Sequence, residues 1–483
     1  MHDGIPPTRT RFLGRLALPA LLAALLLATS ARSSAQERVV PDSLPERPRV
    51  PAYDPGQPYL EKTLKNGVRL VLQEQRSQYF VAGVVTSRMG ARYERDEEAG
   101  LGHLLVRTML AGTTKSSASD FHVRLRGNSA KLDGAVGVDV GQITIETDRE
   151  HAQGAASLLA DIVLNPSLPD TAFEAARVKV AGDAAFAYES PLPAAYGVFL
   201  NAMFAGTPYH KHPQGLVSSI NQARRSDIAA LHKKIFVGGN ITVVFIGNLD
   251  AKKLLAHLEK AFAAAPAGAP PEPAGPEPTP LPADTVIVEE RPWKAHAFVY
   301  GFPAPGYLDP DYPAFAMLDS YLRSEDRSPI TYWMQVRDDA VSPGVLFTMF
   351  PTRGSLAVYF GSTPEKIGAA RDTAIAVVNR LRTDVLDKGE WKVQLQRVQN
   401  GFLFKQNEPL FRARYVSRWV AQGLGVHYPR QFEEILLKLT AEDLRAAAER
   451  WMTRSCEVRL GPPASAEPPP AAPSETPPGD AGP

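Results

Sequence analysis

Few residues in this chain are placed to do chemistry. His103 lies in the run Ala99-Gly100-Leu101-Gly102-His103-Leu104-Leu105-Val106-Arg107-Thr108-Met109-Leu110-Ala111-Gly112-Thr113-Thr114, where Gly100 to Leu110 reads as a helix. His210-Lys211-His212 sets two imidazoles at alternate residues, a metal clip in form. No third ligand is near it in sequence, and a surface loop is the expectation. His232 sits in the amphipathic stretch Asp227 to Phe236 and reads as a helix-face histidine. Cys456 precedes a final strand, Glu457 to Leu460, and reads as packed rather than reactive. The chain contains no G-x-S-x-G and no G-x-x-x-x-G-K-[ST], which argues against a serine-hydrolase elbow and a P-loop.

The composition narrows the classes further. There are 53 basic and 52 acidic side chains, a formal net charge of +1, which leaves no electrostatic footprint for nucleic acid and no polybasic membrane patch. Arg9, Arg11 and Arg15, the apolar run Leu16 to Ala28, and Ser33-Ser34-Ala35 before Gln36 have the three-part form of a cleaved export signal over residues 1–35. The apolar run is too short to span a bilayer comfortably, and no later stretch reads as a membrane span. A soluble periplasmic or secreted protein is expected. Removing about 35 residues leaves roughly 450, too many for one hydrophobic core. With Cys456 as the single cysteine, an intramolecular disulfide is impossible and packing alone must hold the cores.

Those candidate residues must be positioned by a chain that punctuates itself. Residues 36–58 read as an extended lead-in, 265–283 as a Pro/Ala-rich linker, and 462–483 as a disordered tail. Between them lie two halves, 59–264 and 284–461. Both run in the same order: strands (Val68 to Leu72 and Phe80 to Ser87; Thr285 to Glu289 and His296 to Gly301), then a helix (Gly100 to Leu110; Tyr312 to Leu322). A further strand follows (Gln142 to Thr147; Ser355 to Phe360), and then two helices (Glu150 to Leu164 and Pro169 to Tyr188; Pro364 to Thr383 and Lys388 to Gln406). The expected fold class is α+β, with two homologous halves, each an antiparallel sheet covered by helices. Two unrelated α+β domains in coincidental order are the alternative.

The segment around His103 resembles the zinc helix of the M16 (pitrilysin/insulinase-like, inverzincin) metallopeptidases, in which Gly-Leu-x-His leads into His-x-x-Glu-His and an apolar run closing on Gly-Thr. Leu64-Lys65-Asn66-Gly67-Val68, Gly90-Ala91-Arg92-Tyr93-Glu94, Gly206-Thr207-Pro208-Tyr209 and Asn240 to Leu249 extend the resemblance over most of the chain after residue 35. It implies an M16/LuxS-like metallohydrolase fold and, as the ancestral cofactor, zinc. In the family, two histidines at i and i+4 and a glutamate from a later helix hold the ion, and the glutamate beside the second histidine takes a proton from bound water. Here His103 remains, while Val106 stands at the base position and Arg107 at the second ligand position. A family-like interval of about 80 residues, with the turn Glu189-Ser190-Pro191 as register mark, puts the third ligand position on Asp183, a shorter acid.

The resemblance therefore implies a degenerate site at His103, Val106, Arg107 and Asp183, with His103 and Asp183 as remnant ligand positions, no metal or cofactor expected, and no catalytic residues. Arginine offers no lone pair and its charge repels Zn²⁺; losing the base alone costs on the order of 10²- to 10⁴-fold. A charge-assisted pair between Arg107 and Asp183 could fill the space of the ion; alternatively both reach solvent from the walls of a chamber. In two-chain members one subunit's second half supplies an arginine and a tyrosine to the substrate carbonyl. Arg337 matches that arginine and is the substrate-binding candidate, a surface salt bridge being its other reading; Pro343 and Gly344 stand at the tyrosine's place, with Tyr332 a stand-in only after rearrangement.

Three functions follow from the resemblance. The leading one is a non-catalytic subunit, a pseudoenzyme that pairs with an active M16 zinc peptidase chain, or with a second copy of itself, and helps enclose peptides. The second is a stand-alone periplasmic peptide-binding or scaffolding protein. The third is a peptidase with an altered metal site built on His103, Asp183 and an unidentified donor.

Overall fold

The computed structural model describes residues 58–323, 330 and 340–463. The first half contains β1 (Leu60–Thr63), β2 (Arg69–Glu74), β3 (Phe80–Arg88), α1 (Leu101–Met109), α2 (Ala118–Gly127), β4 (Lys131–Val136) and β5 (Val140–Asp148). It continues through α3 (Ala152–Leu164), α4 (Asp170–Glu189), α5 (Pro191–Met203), α6 (Val217–Gln222), α7 (Arg225–Ile235), β6 (Thr242–Gly247) and α8 (Ala251–Phe262). The second half contains β7 (Thr285–Glu290), β8 (His296–Pro305), α9 (Tyr312–Leu322), β9 (Val341–Thr348) and β10 (Arg353–Ser362). After these come α10 (Ile367–Arg380), α11 (Lys388–Gln406), α12 (Pro409–Ala421), α13 (Tyr428–Leu436), α14 (Ala441–Trp451) and β11 (Cys456–Gly461).

The two sheets share one plan. Their strand orders are β1-β2-β6-β3-β5-β4 and β7-β11-β8-β10-β9, so β2, β6, β3, β5 and β4 correspond to β7, β11, β8, β10 and β9. In each, the last strand of the half slots between two early ones, β6 between β2 and β3 and β11 between β7 and β8. It therefore runs parallel to one neighbour (β2 with β6, β7 with β11) and antiparallel to the other, within sheets that are otherwise antiparallel. A parallel pairing requires a long crossover, which the intervening helices provide.

Period-two alternation in β6 explains how the halves are joined. Every residue of Thr242–Gly247 is buried. Val243 and Phe245 enter a core with Leu158 and Ile162 of α3 and Leu258 of α8, whereas Val244 and Ile246 face Ala413, Val416 and Val420 of α12, a helix of the second half. The reverse exchange occurs across the second sheet. Ala297 and Val299 of β8 and Val458 of β11 pack against Ala195, Phe199 and Leu200 of α5, a helix of the first half. Thus α5 and α12, which occupy equivalent places in chain order, each cover the other half's sheet. Hydrogen bonds fix the exchange: Thr86 Oγ1 to Ser417 Oγ (2.7 Å), Arg88 Nε to the Ala421 carbonyl (2.9 Å), and the Tyr196–Thr348 hydroxyl pair (2.9 Å).

No helix or strand lies between Phe262 and Thr285, as the Pro/Ala composition predicts for 265–283. The segment is nonetheless tied down. Ala274 N donates to the Arg92 carbonyl (2.8 Å), and Glu277 binds Arg92 (2.5 Å) and the Thr352 hydroxyl (2.9 Å), one partner in each half. Cys456 is fully buried, and burial pushes its thiol up to about 12, so it is inert. Among the described residues no helix is long and apolar enough to cross a membrane.

Candidate functional site

The site is built on α1. Gly100 takes φ +101° ahead of the helix, a left-handed conformation that a side chain would strain. The buried Glu94 carboxylate accepts from Gly100 N (2.8 Å) and Gly102 N (2.7 Å), satisfying free donors at the positive end of the helix. Burial raises the Glu94 carboxyl, opposed by those two N–H groups and by Lys211. Lys211 Nζ donates to the Glu94 carbonyl (2.7 Å) and to Asp96 Oδ1 (3.1 Å).

That contact corrects the reading of His210-Lys211-His212 as a surface loop: the Lys211 side chain is 3 % exposed and straps the segment against the start of α1. His212 stands between Tyr188 and Tyr196, edge-on to each at 5.9 Å. Its Nδ1 accepts from Gln214 N (3.3 Å), and burial, with His103 nearby, lowers it to about 4, a neutral imidazole at ordinary pH. The loop's composition hid this, because an extended polar segment reads as solvated until a partner such as Glu94 is known to lie beneath it.

His103, Val106 and Arg107 are carried on one face of α1 and line a cleft of about 590 Å³ together with Lys179 and Asp183 of α4. His103 is half-buried. Its Nε2 donates to the Pro213 carbonyl (3.0 Å), and burial depresses its pKa while Pro213 and Asp183 pull the other way. Val106 is 2 % exposed and sits over Gly134 of β4, where an added Cβ would meet Val106 Cγ1 at 2.5 Å. Arg107 is exposed in the cleft.

The structure brings all four motif positions into one cleft but does not make the Arg107–Asp183 pair. Asp183 is ion-paired with Lys179, one turn earlier on its own helix, and no described carboxylate lies within 4.0 Å of the Arg107 guanidinium. An i,i+4 partner costs less conformational freedom than one across a cleft, so Lys179 wins the acid. The Lys179-to-Asp183 spacing was visible in the sequence and is the signal the motif reading passed over. Arg337 and Tyr332 lie outside the described residues. His232 is on α7, with Nε2 donating to the Val163 carbonyl of α3 (2.8 Å), a packing role.

A second compartment, also about 590 Å³, adjoins the first and shares Asp183 and Gln214 with it. Its walls are largely apolar and aromatic, with Phe186 and Tyr196 from the first half and Leu346 and Tyr359 from the second. Ser342 also lines it. This residue has φ +51° where the β9–β10 register slips, a bulge that turns its side chain out of the regular alternation.

Comparison with known proteins places this arrangement. Residues 69–212 match the model of Insulinase (Peptidase family M16), and residues 222–397 match that of the Peptidase M16 inactive domain. The chain belongs to peptidase family M16. Among M16 relatives, the zinc protease PqqE of Helicobacter pylori is 24% identical over 437 residues, 84% of this chain and 94% of that protein. The mitochondrial-processing peptidase subunit alpha of Bos taurus is 29% identical over 119 residues, 24% of this chain and 22% of that protein. The crystal structure of a protease from Helicobacter pylori superposes with a TM-score of 0.77 at 19% identity, covering 84% of this chain and 100% of that one. At that identity the likeness establishes the M16 fold, with its two homologous halves.

Proposed function

We propose that this chain is a non-catalytic M16 subunit that pairs with an active zinc peptidase chain and helps enclose peptide substrates outside the cytoplasm. The observation that supports it most is the donor set in the cleft. A catalytic zinc takes three protein ligands and a water. The motif positions offer one imidazole whose Nε2 is bonded to Pro213, one carboxylate bound to Lys179, and a guanidinium that repels a cation. Among the described residues, no group of three or more His, Cys, Asp or Glu side chains could hold a metal. These residues do not fit zinc. At the base position Val106 is packed into the core and takes no proton.

Pairing is supported by kinship with a protein named as one subunit of a processing peptidase. Export rests on residues 1–35, with their arginines, apolar run and small residues before Gln36. Co-purification from the periplasm with metal analysis tests the reading. Zinc carried by a co-purifying M16 chain supports it; zinc bound to this chain alone, with peptidase activity, refutes it. Because both compartments lie within one chain, the cleft also supports a second reading, a stand-alone periplasmic peptide-binding or scaffolding protein.

A further inference from the structure

Four charged side chains line the α1 cleft, and pairing them leaves one without a close partner among the described residues. Asp133 lies 3.7 Å from Arg414, and Asp183 is bound to Lys179. His103 is held toward its neutral form chiefly by burial. The remaining charged group lining the cleft is Arg107, for which no described carboxylate stands within 4.0 Å. A guanidinium fork facing a partly enclosed space with an apolar floor of Val106, Leu110, Val136 and Val180 is suited to an oxyanion of planar, bidentate shape, which is a carboxylate. Next to it, behind Asp183 and Gln214, opens the aromatic compartment of Phe186, Tyr196 and Tyr359, with Ser342 turned into it by the β9 bulge.

A cationic point beside an apolar pocket matches one feature of a peptide. At the C-terminus, the carboxylate and the last side chain branch from the same Cα and so reach two adjoining compartments together. A glutamate or aspartate inside a peptide would present its carboxylate at the tip of a side chain and leave the second compartment to another residue. We propose that this cleft binds the C-terminus of a peptide, Arg107 taking the terminal carboxylate and the aromatic compartment taking an apolar side chain at or next to the last residue. The inference rests on the peptide-holding reading above and names the ligand of that same site. It also accounts for the arginine, since where the family holds a cation as zinc, this chain holds one covalently on α1.

The test uses the intact chain and three fluorescent peptides of one sequence ending in phenylalanine: the free acid, the C-terminal amide, and an amide with one interior glutamate, with binding read by anisotropy. The free acid should bind about tenfold or more tighter than either amide, the size expected of a hydrogen bond to a charged group. Arg107→Gln should erase that preference, and Arg107→Lys should restore part of it. Arg107 is exposed, so neither substitution should disturb folding, which circular dichroism checks. Equal binding of acid and amide, or a preference that survives in Arg107→Gln, overturns the C-terminal assignment and leaves peptide holding intact. Tighter binding of the interior-glutamate amide than of the free acid overturns it in favour of a side-chain carboxylate. Failure of all three peptides to bind overturns the assignment together with peptide holding by this cleft.

Discussion

Lys179 and Asp183 stand one turn apart on α4 and are bound to each other, so this acid in the α1 cleft already has its cation. Asp183 still reaches His103 electrostatically and pulls its pKa upward against burial. Lys179→Ala removes the compensating charge, and the His103 imidazole should titrate at a higher pH than in the unmodified chain. An NMR titration of His103 reads this directly. An unchanged or lowered value would mean that Lys179 does not screen Asp183.

Placing a carboxylate at position 106 should fail on physical grounds. Val106 is 2 % exposed and rests against Gly134, so Val106→Glu would force a longer, charged side chain into a packed position. A loss of more than about 2 kcal/mol is expected by chemical denaturation at pH 7, less at pH 4 where the acid is protonated. Unchanged stability at pH 7 would show that the pocket can hydrate a charge at that position.

The exchange of α5 and α12 makes the two halves one thermodynamic unit. Phe199 of α5 is fully buried against β8 and β11 of the other half. Phe199→Ala should cost about 3–5 kcal/mol, and calorimetry should show one transition, shifted as a whole. Two separable transitions, with only one moved, would contradict the interlocked packing.

Asp139 is buried 3.8 Å from Arg92, and burial lifts its carboxyl to about 6 against the pull of Arg92 and Arg418. Its folded pKa is above its unfolded value, so the folded state favours the neutral acid. The stabilisation is full below about pH 4 and is lost as the pH rises through about 6. Asp139→Asn should flatten that fall, which is on the order of 2–3 kcal/mol, in denaturation curves taken from pH 4 to 8. A variant that keeps the full pH dependence would assign it to another group.

How far the sequence could be read depended on the kind of interaction. Tyr312–Leu322 and Lys388–Gln406 occupy the expected helical spans, and the strands around Val84, Ile145 and Val358 announce themselves by apolar alternation, because these signals are local. His103, Val106 and Arg107 share a face of α1 by local spacing, whereas Asp183 joins them only through the packing of α4 against α1, which no local pattern states. What alternation does not specify is which surface covers a buried face. Val244 and Phe245 are equally apolar, yet one meets α12 of the far half and the other meets its own helices. The Arg107–Asp183 pair failed similarly, since motif logic looks across the cleft and the ion pair formed along one helix. Lys211 was missed because its partner, the Glu94 carbonyl, is 117 residues away.

Whether the α1 cleft holds zinc is decided by zinc titration of the isolated chain monitored by calorimetry, followed by metal analysis after dialysis. A cleft with this donor set should retain well under one zinc per chain, with His103→Ala indistinguishable from the unmodified protein. One tightly held zinc per chain that disappears in His103→Ala would contradict that expectation.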